Sequence, residues 1–246
     1  MEGDLCDSAS LKKAVNSCDY LFHVAADYRL WTPNPESMYQ TNVEGTHLLL
    51  QYTGDAGVEK IVYTISVATL DIHVDRTPAD EDSPVCLDDM ISRYKRSKYL
   101  AEEEVHNLIV AKQLPATIVN PSTPIGPRDI KPTPTGRIIV ECLAGKIPAY
   151  VDTGLNIAHV DDVAWGHLLA LEKGGIEERY ILGGEDMSLK IILGLICEIG
   201  LRKPPIISIP HNLILPIARL IEIYAGFTGV EPLATVDGMK IYVFFQ

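Results

Sequence analysis

The sequence predicts an α/β domain built on a mostly parallel sheet. Short apolar runs rich in β-branched and aromatic residues alternate with longer segments of helical spacing. No tight two-residue hairpin joins consecutive runs, so neighbouring strands must be linked by crossover helices. The run at 20–26 is almost continuously apolar, as expected of a parallel strand buried on both faces.

In chain order, residues 1–5 read as a strand end and a turn. Ser8 can cap a short helix over 9–17, with Leu11 and Val15 turned inward. The strand at 20–26 ends in Ala25 and Ala26, small residues that allow close backbone approach. Residues 27–35 form a loop carrying Tyr28, Arg29 and Trp31, and 36–56 a helix with Met38, Val43, Leu48 and Leu49 as its buried stripe. Gly45 weakens that helix and Gly57 ends it. A strand at 58–64 leads into 65–69. The acidic, proline-bearing segment 71–89 reads as a solvated surface loop. A helix over 94–113 and a strand over 116–120 follow, the strand closed by Pro121, Ser122, Thr123, Pro124, Ile125, Gly126 and Pro127.

After Gly136 the pattern changes. A helix is expected over 137–143, with 131–136 as a structured loop before it. Residues 150–154 read as a turn-bearing segment and 156–160 as a strand. Asp161 starts a helix through Glu172 with an acidic first turn. A strand at 179–184 ends in two glycines, and the remainder is helical and less regular.

At 246 residues and 47% hydrophobic, the chain is one large domain or one and a half. A net charge of −12 without a basic stripe excludes a nucleic-acid binder. It does not exclude a nucleotide held by backbone N–H groups. The odd, scattered cysteines (Cys6, Cys18, Cys86, Cys142, Cys197) read as free thiols in a reducing cytoplasm, with neither a disulfide framework nor a zinc site. No secretory leader is read at the N-terminus. The apolar stretch 206–225 is interrupted by Pro210, His211, Pro216, Arg219 and Glu222, which is too broken for a spanning helix. A helix with one greasy face is the better reading, and membrane-surface association the lesser one.

The chemistry centres on Tyr94 and Lys98, which share a helix face at a spacing of four. An ammonium beside a phenol favours the phenolate and lowers its pKa. Alone, this spacing is more often a half-packed surface tyrosine. It gains weight because Ser66, Asp4, His23 to Ala26 and Asn120 to Thr123 all fall at or just past strand ends, where open α/β sheets bind ligands. Ser66 can orient a substrate oxygen, Tyr94 can pass a proton to or from it, and Lys98 can tune Tyr94. That set suits hydride transfer between a carbinol and a nicotinamide ring.

These pieces resemble an extended short-chain dehydrogenase/reductase of the NAD-dependent epimerase/dehydratase family. The pieces are His23-Val24-Ala25-Ala26, Thr41-Asn42-Val43-Glu44-Gly45-Thr46, Tyr63-Thr64-Ile65-Ser66, Tyr94 with Lys98, Asn120 through Pro127, and His159-Val160-Asp161-Asp162-Val163-Ala164. The resemblance covers most of the chain and weakens after about Ile206. At finer grain, 23–31 and 121–136 are similar to bacterial hopanoid-associated sugar epimerases and dihydroflavonol-reductase-like proteins.

The resemblance implies a Rossmann-like, mostly parallel sheet with a smaller C-terminal substrate domain. Residues 1–135 would form a partial dinucleotide-binding domain. Residues 136–246 would be mainly substrate domain, with 156–184 partly returning to the sheet. Ser66, Tyr94 and Lys98 would be the catalytic triad. NAD or NADP would be bound by Asp4, Leu5, His23, Ala25, Ala26, Thr64, Tyr94, Lys98, Pro121, Ser122 and Thr123, with Asp4 on the adenine amino group. Lys98 would also reach cofactor ribose hydroxyls. Asn42 would hold the strand-end loops. Asp27, Tyr28, Arg29, Ser66 and Tyr94 would face a small-molecule substrate, a sugar-like or cyclic carbinol. A homodimer is compatible with this reading.

Two departures qualify the resemblance. Ile65 stands where a second serine is common, removing a hydroxyl and crowding the turn. No Gly-x-x-Gly-x-x-Gly phosphate loop occurs in the sequence. The expectation is a fragment lacking the first two strands of the sheet. In that case either residues 2–5 pair beside the Leu21 strand or that edge is open. The rival function is an inert remnant or binding module. His23 reads as a packed, supporting histidine, and His159 with Asp161 and Asp162 as a helix start, with no metal site.

Overall fold

The structure, a computed structural model, describes residues 3–29, 31–32, 34–70, 78–90, 92–130, 132–228 and Val236. The expectations for residues 1–2, for 71–77 of the acidic loop and for Lys131 lie outside the described residues.

Helix α1 (Ser8–Val15) precedes strand β1 (Tyr20–His23). Its cap is Asp7, whose side chain accepts from the Ala9 N–H, rather than Ser8. The Ser8 hydroxyl is instead 2.7 Å from the Tyr52 hydroxyl. The long helix that follows has three parts: α2 (Glu36–Tyr39), a π-helical turn (Gln40–Glu44) and α3 (Gly45–Asp55). Gly45 opens α3 directly after the π-helical turn. A Cβ there would lie 2.8 Å from the Leu5 Cβ and 3.0 Å from the Leu5 carbonyl oxygen, so glycine lets the helix approach the N-terminal turn. Gly57 adopts φ +72° as the helix ends, a conformation that suits glycine.

Strand β2 (Lys60–Thr64), helix α4 (Arg93–Lys112) and strand β3 (Ala116–Pro121) complete the first half. Strands β4 (Thr123–Ile125), β5 (Ala149–Val151) and β6 (Gly154–His159) follow, with helix α5 (Pro134–Leu143) between β4 and β5. Then come α6 (Val160–Lys173), β7 (Arg179–Leu182), β8 (Glu185–Ser188), α7 (Leu189–Ile199), β9 (Ile207–Ile209) and α8 (His211–Thr228).

The main sheet has the order β1-β2-β3-β7, parallel throughout. Side-chain alternation explains its two faces. Ile61, Tyr63, Ala116 and Ile118 pack on Leu50 of α3 and on Ala101, Val105, Leu108 and Ile109 of α4. Val62 and Val119 face the other way, onto Ala170 and Leu171 of α6.

Strand β1 departs from the doubly buried expectation. Tyr20, Phe22 and Val24 are 52%, 39% and 58% exposed. Phe22 is in register with Val62, but α6 lies over β2, β3 and β7. Among the described residues β1 pairs only with β2, and residues 3–5 form no strand beside it, so that edge is open there.

The remaining strands form two small sheets, β4-β6-β8 and β5-β9. Residues 149–151 are therefore a strand paired with β9, where a turn was expected. Strand β8 was missed because Glu185 and Asp186 hide its pattern; it runs antiparallel to β6. Helix α5 begins at Pro134 rather than 137, because the Thr133 hydroxyl accepts from the Gly136 N–H and a proline suits the first turn. The acidic loop is not merely solvated: Glu81 Oε1 accepts from the Ile181 N–H of β7 at 3.0 Å. Among the described residues no helix is long and apolar enough to cross a membrane, and no group of three or more His, Cys, Asp or Glu could hold a metal ion.

Candidate active site

The site lies past the carboxyl ends of β2 and β3, where α4 crosses them. Ser92 caps α4, its hydroxyl accepting from the Lys95 N–H at 3.1 Å. This places Tyr94 in the first turn and Lys98 one turn on, on the same face. Lys98 is 4% exposed, donates to the Thr64 carbonyl at 3.3 Å, and lies 5.8 Å from the centre of the Tyr63 ring. Burial pulls its ammonium down to about 8, against the upward pull of Glu102.

Ser66 leaves β2 in extended conformation, its hydroxyl accepting from the Ala68 N–H at 3.1 Å. Its backbone is held from below, as the fully buried Asn120 donates to the Ser66 carbonyl at 3.2 Å. The Asn120 Oδ1 and the Ser122 hydroxyl are buried without a protein partner. Ile65 does not crowd this turn. It fills the core beside Tyr63 and Leu108 while its N–H bonds the Val119 carbonyl.

Tyr94 departs from the expected lowering of its pKa. Burial raises its pKa above the ordinary value, and the Ser66 side chain pulls only partly the other way. The phenol therefore carries its proton at neutral pH. The Lys98 ammonium is spent on the Thr64 carbonyl and the Tyr63 ring.

Asn42 braces the site from the π-helical turn. Its Oδ1 accepts from the Asp27 N–H at 2.7 Å, and its Nδ2 donates to the Asp27 carbonyl at 2.8 Å and the Ser97 hydroxyl at 3.0 Å. Ser97 in turn donates to the Tyr94 carbonyl at 2.8 Å. Asp27 and Arg29 form an ion pair at 2.5 Å. Burial pushes the Asp27 carboxyl up, but the Arg29 hydrogen bonds and charge outweigh it and hold the group below its usual range. Tyr28 is 42% exposed beside this pair.

His23 is a packed histidine. Its Nε2 is 2.9 Å from the Thr46 hydroxyl, its ring lies 5.3 Å from that of Tyr63, and Nδ1 has no partner. Burial, helped by the Lys98 charge, lowers it to about 3.

The other named residues spread outward. The Thr64 hydroxyl pairs with His167 Nε2 at 2.8 Å, turned toward α6, so only its carbonyl faces Lys98. Pro121 ends β3 opposite Leu182, the Ser122 N–H bonds the Leu182 carbonyl, and Thr123 opens β4. Ala25 and Ala26 follow the end of β1, Ala25 exposed and Ala26 half-buried. Asp4 and Leu5 stand apart in the N-terminal turn: the Asp4 carboxylate accepts from the Cys6 N–H at 2.9 Å, and Leu5 packs with Leu11 and Leu49. The bracing role of Asn120 was missed, though its place at the end of the strand was visible. Glu102, one turn past Lys98 and 4% exposed, was missed outright, and its i+4 spacing was the available signal.

The chain is similar to known proteins over nearly its whole length. A Synechocystis protein provisionally named dihydroflavonol 4-reductase is 44% identical over 244 residues, covering 97% of this chain and 70% of that protein. Sterol demethylase protein B of Methylococcus capsulatus is 32% identical over 218 residues, 89% of this chain and 66% of that protein. The crystal structure of gox2253 superposes with a TM-score of 0.83 at 52% identity, covering 97% of this chain and 72% of that one. The chain thus spans about two thirds of the length of these relatives. Residues 1–183 match a family of the same architecture, and the chain belongs to the NAD dependent epimerase/dehydratase family.

Proposed function

We propose that the chain carries the proton-transfer site of an NAD(P)-dependent oxidoreductase or epimerase acting on a sugar-like or cyclic carbinol. The observation that carries this reading is the convergence of Ser66, Tyr94 and Lys98 at the ends of β2 and α4, with Lys98 anchored on the Thr64 carbonyl and Ser66 acting on the Tyr94 phenol. The nicotinamide cofactor, when bound, supplies or takes the hydride. The orphaned Asn120 Oδ1 and Ser122 hydroxyl fit a polar group such as the nicotinamide carboxamide, because each is buried and lacks a partner. Pro121 and Thr123 flank it. His23, Ala25 and Ala26 line the adjacent strand end, and Asp4 and Leu5 form the outer, adenine-side wall. Asp27, Tyr28 and Arg29 border the substrate.

In the reductive direction the protonated Tyr94 donates to the carbonyl oxygen while Ser66 orients that oxygen. Oxidation runs the same path backwards, with Tyr94 accepting. An epimerase runs both halves in turn. Lys98 holds positive charge behind the phenol and offsets the developing oxyanion. Residues 1–135 are read as the partial cofactor side and 136–246 as mainly the substrate side, 156–184 partly returning to the main sheet; the protein is read as cytoplasmic.

The test is titration of NADH and NADPH fluorescence by this chain and by the same chain carrying a Gly-x-x-Gly-x-x-Gly unit ahead of Met1. Binding by the first supports the reading. Binding by the second alone makes the present chain a module without turnover. Where turnover is found with a panel of cyclic ketones and nucleotide sugars, Tyr94→Phe removes most of the rate at unchanged cofactor affinity. An unchanged rate removes Tyr94 from the mechanism.

A further inference from the structure

Tyr94, Lys98 and Glu102 stand at i, i+4 and i+8 on α4, three successive turns of one face. Lys98 and Glu102 are each 4% exposed. Buried charges on one face are costly unless they answer one another. Arg179 of β7 donates to Glu102 Oε1 at 2.6 Å, and its other nitrogen reaches the Glu81 carbonyl at 3.5 Å. Glu81 Oε1 in turn holds the Ile181 N–H. Charges thus alternate from Lys98 through Glu102 to Arg179, and Arg179 ties this row to the Glu81 backbone in the loop that precedes α4.

We propose that Glu102 is a positioning residue for Lys98: clamped by Arg179, it keeps the ammonium charged and in place behind Tyr94. The proposal rests on the reading of Lys98 as the cation of the proton-transfer site. Glu102 touches neither substrate nor cofactor and acts through Lys98 alone. The other titratable groups that face Lys98 are Tyr94 on its own helix, Tyr63 of β2 and His23 of β1. Those that face Glu102 are Arg179, His106 at 4.0 Å, and the phenols of Tyr63 and Tyr99. Of these, Glu102 alone supplies negative charge to Lys98 at neutral pH, since His23 and both phenols are neutral there. Removing it leaves burial unopposed.

The test reads Lys98 directly and needs neither substrate nor turnover. In protein carrying 13C,15N-lysine, the Lys98 side-chain resonance, assigned by its loss in Lys98→Arg, is followed against pH. Glu102→Gln is expected to lower its midpoint by about one pH unit, a tenfold loss of proton affinity. Glu104→Gln, two residues on and paired with His47, is expected to leave it in place. Where the single variant does not fold, Glu102→Gln with Arg179→Met removes both charges of the pair and leaves neither buried alone; the midpoint still falls. A midpoint that does not move in whichever variant folds, or an equal fall in Glu104→Gln, overturns the proposal. Because no catalytic readout enters, a failed proton-transfer reading would show as a tuned Lys98 with no Tyr94-dependent rate, a different result.

Discussion

Asn42→Ala should loosen the loop at Asp27 and the start of α4 together. Asn42 is 2% exposed and makes three hydrogen bonds, two to the Asp27 backbone and one to Ser97. At about 1 kcal/mol net for each bond, their loss totals roughly 3 kcal/mol. For a chain of this size about 1 kcal/mol moves Tm by roughly 2–4 °C, so a fall of about 6–12 °C is expected. Ser97→Ala removes the bond from Asn42 and its own bond to the Tyr94 carbonyl, so it should cost about 2 kcal/mol. The double variant should recover about 1 kcal/mol of coupling, because the shared bond is lost only once. Circular dichroism melts of the four proteins measure this. Hydrogen exchange at the Asp27 amide reads the same brace locally and should accelerate in Asn42→Ala but not in Ser97→Ala. Asn42→Ala melting no lower than Ser97→Ala, or an unchanged Asp27 amide, would refute the reasoning.

Two further outcomes follow from burial. Cys142 and Cys197 face each other at 3.3 Å between α5 and α7, and burial, then the partner thiol, push Cys142 up to about 11. An aromatic disulfide reagent at pH 8 should therefore titrate the exposed Cys6, Cys18 and Cys86 quickly and the buried two only on unfolding; five fast thiols would contradict this. His23 is held near 3 against an ordinary 6.5, so between these values the unfolded chain binds the extra proton. Its contribution is complete above pH 6.5 and is lost as pH falls toward 3, at about 1.4 kcal/mol per pH unit. Urea unfolding between pH 4 and 6.5 should show a flatter pH dependence in His23→Gln, and equal slopes would count against the buried neutral imidazole.

The parts of the fold that were legible are those set by local periodicity. The strands beginning at Lys60 and Ala116 and the helix carrying Tyr94 could be read because their alternation and spacing agree with what the sheet and α4 bury. What escaped was decided by distant partners. Gly45 looked like a defect until Leu5 was seen against it. Strand β8 has no apolar alternation because it is ordered by β6, through Asn156 bonding Asp186 and Gly184. Glu81 looked like a solvated acid and Glu102 was not singled out, because the β7 groups that hold them, the Ile181 N–H and Arg179, lie 100 and 77 positions away.

The same distinction governs the site. Ser66, Tyr94 and Lys98, singled out by motif spacing, lie at the end of β2 and the start of α4. Their protonation states do not follow from spacing. An i,i+4 ammonium was expected to pull Tyr94 toward phenolate, which holds in water or at a wet surface. In the folded chain Lys98 is itself depressed to about 8 and turned onto the Thr64 carbonyl, while burial holds Tyr94 as a phenol. Spacing thus marked where these groups stand, while burial set the direction in which each pKa moved.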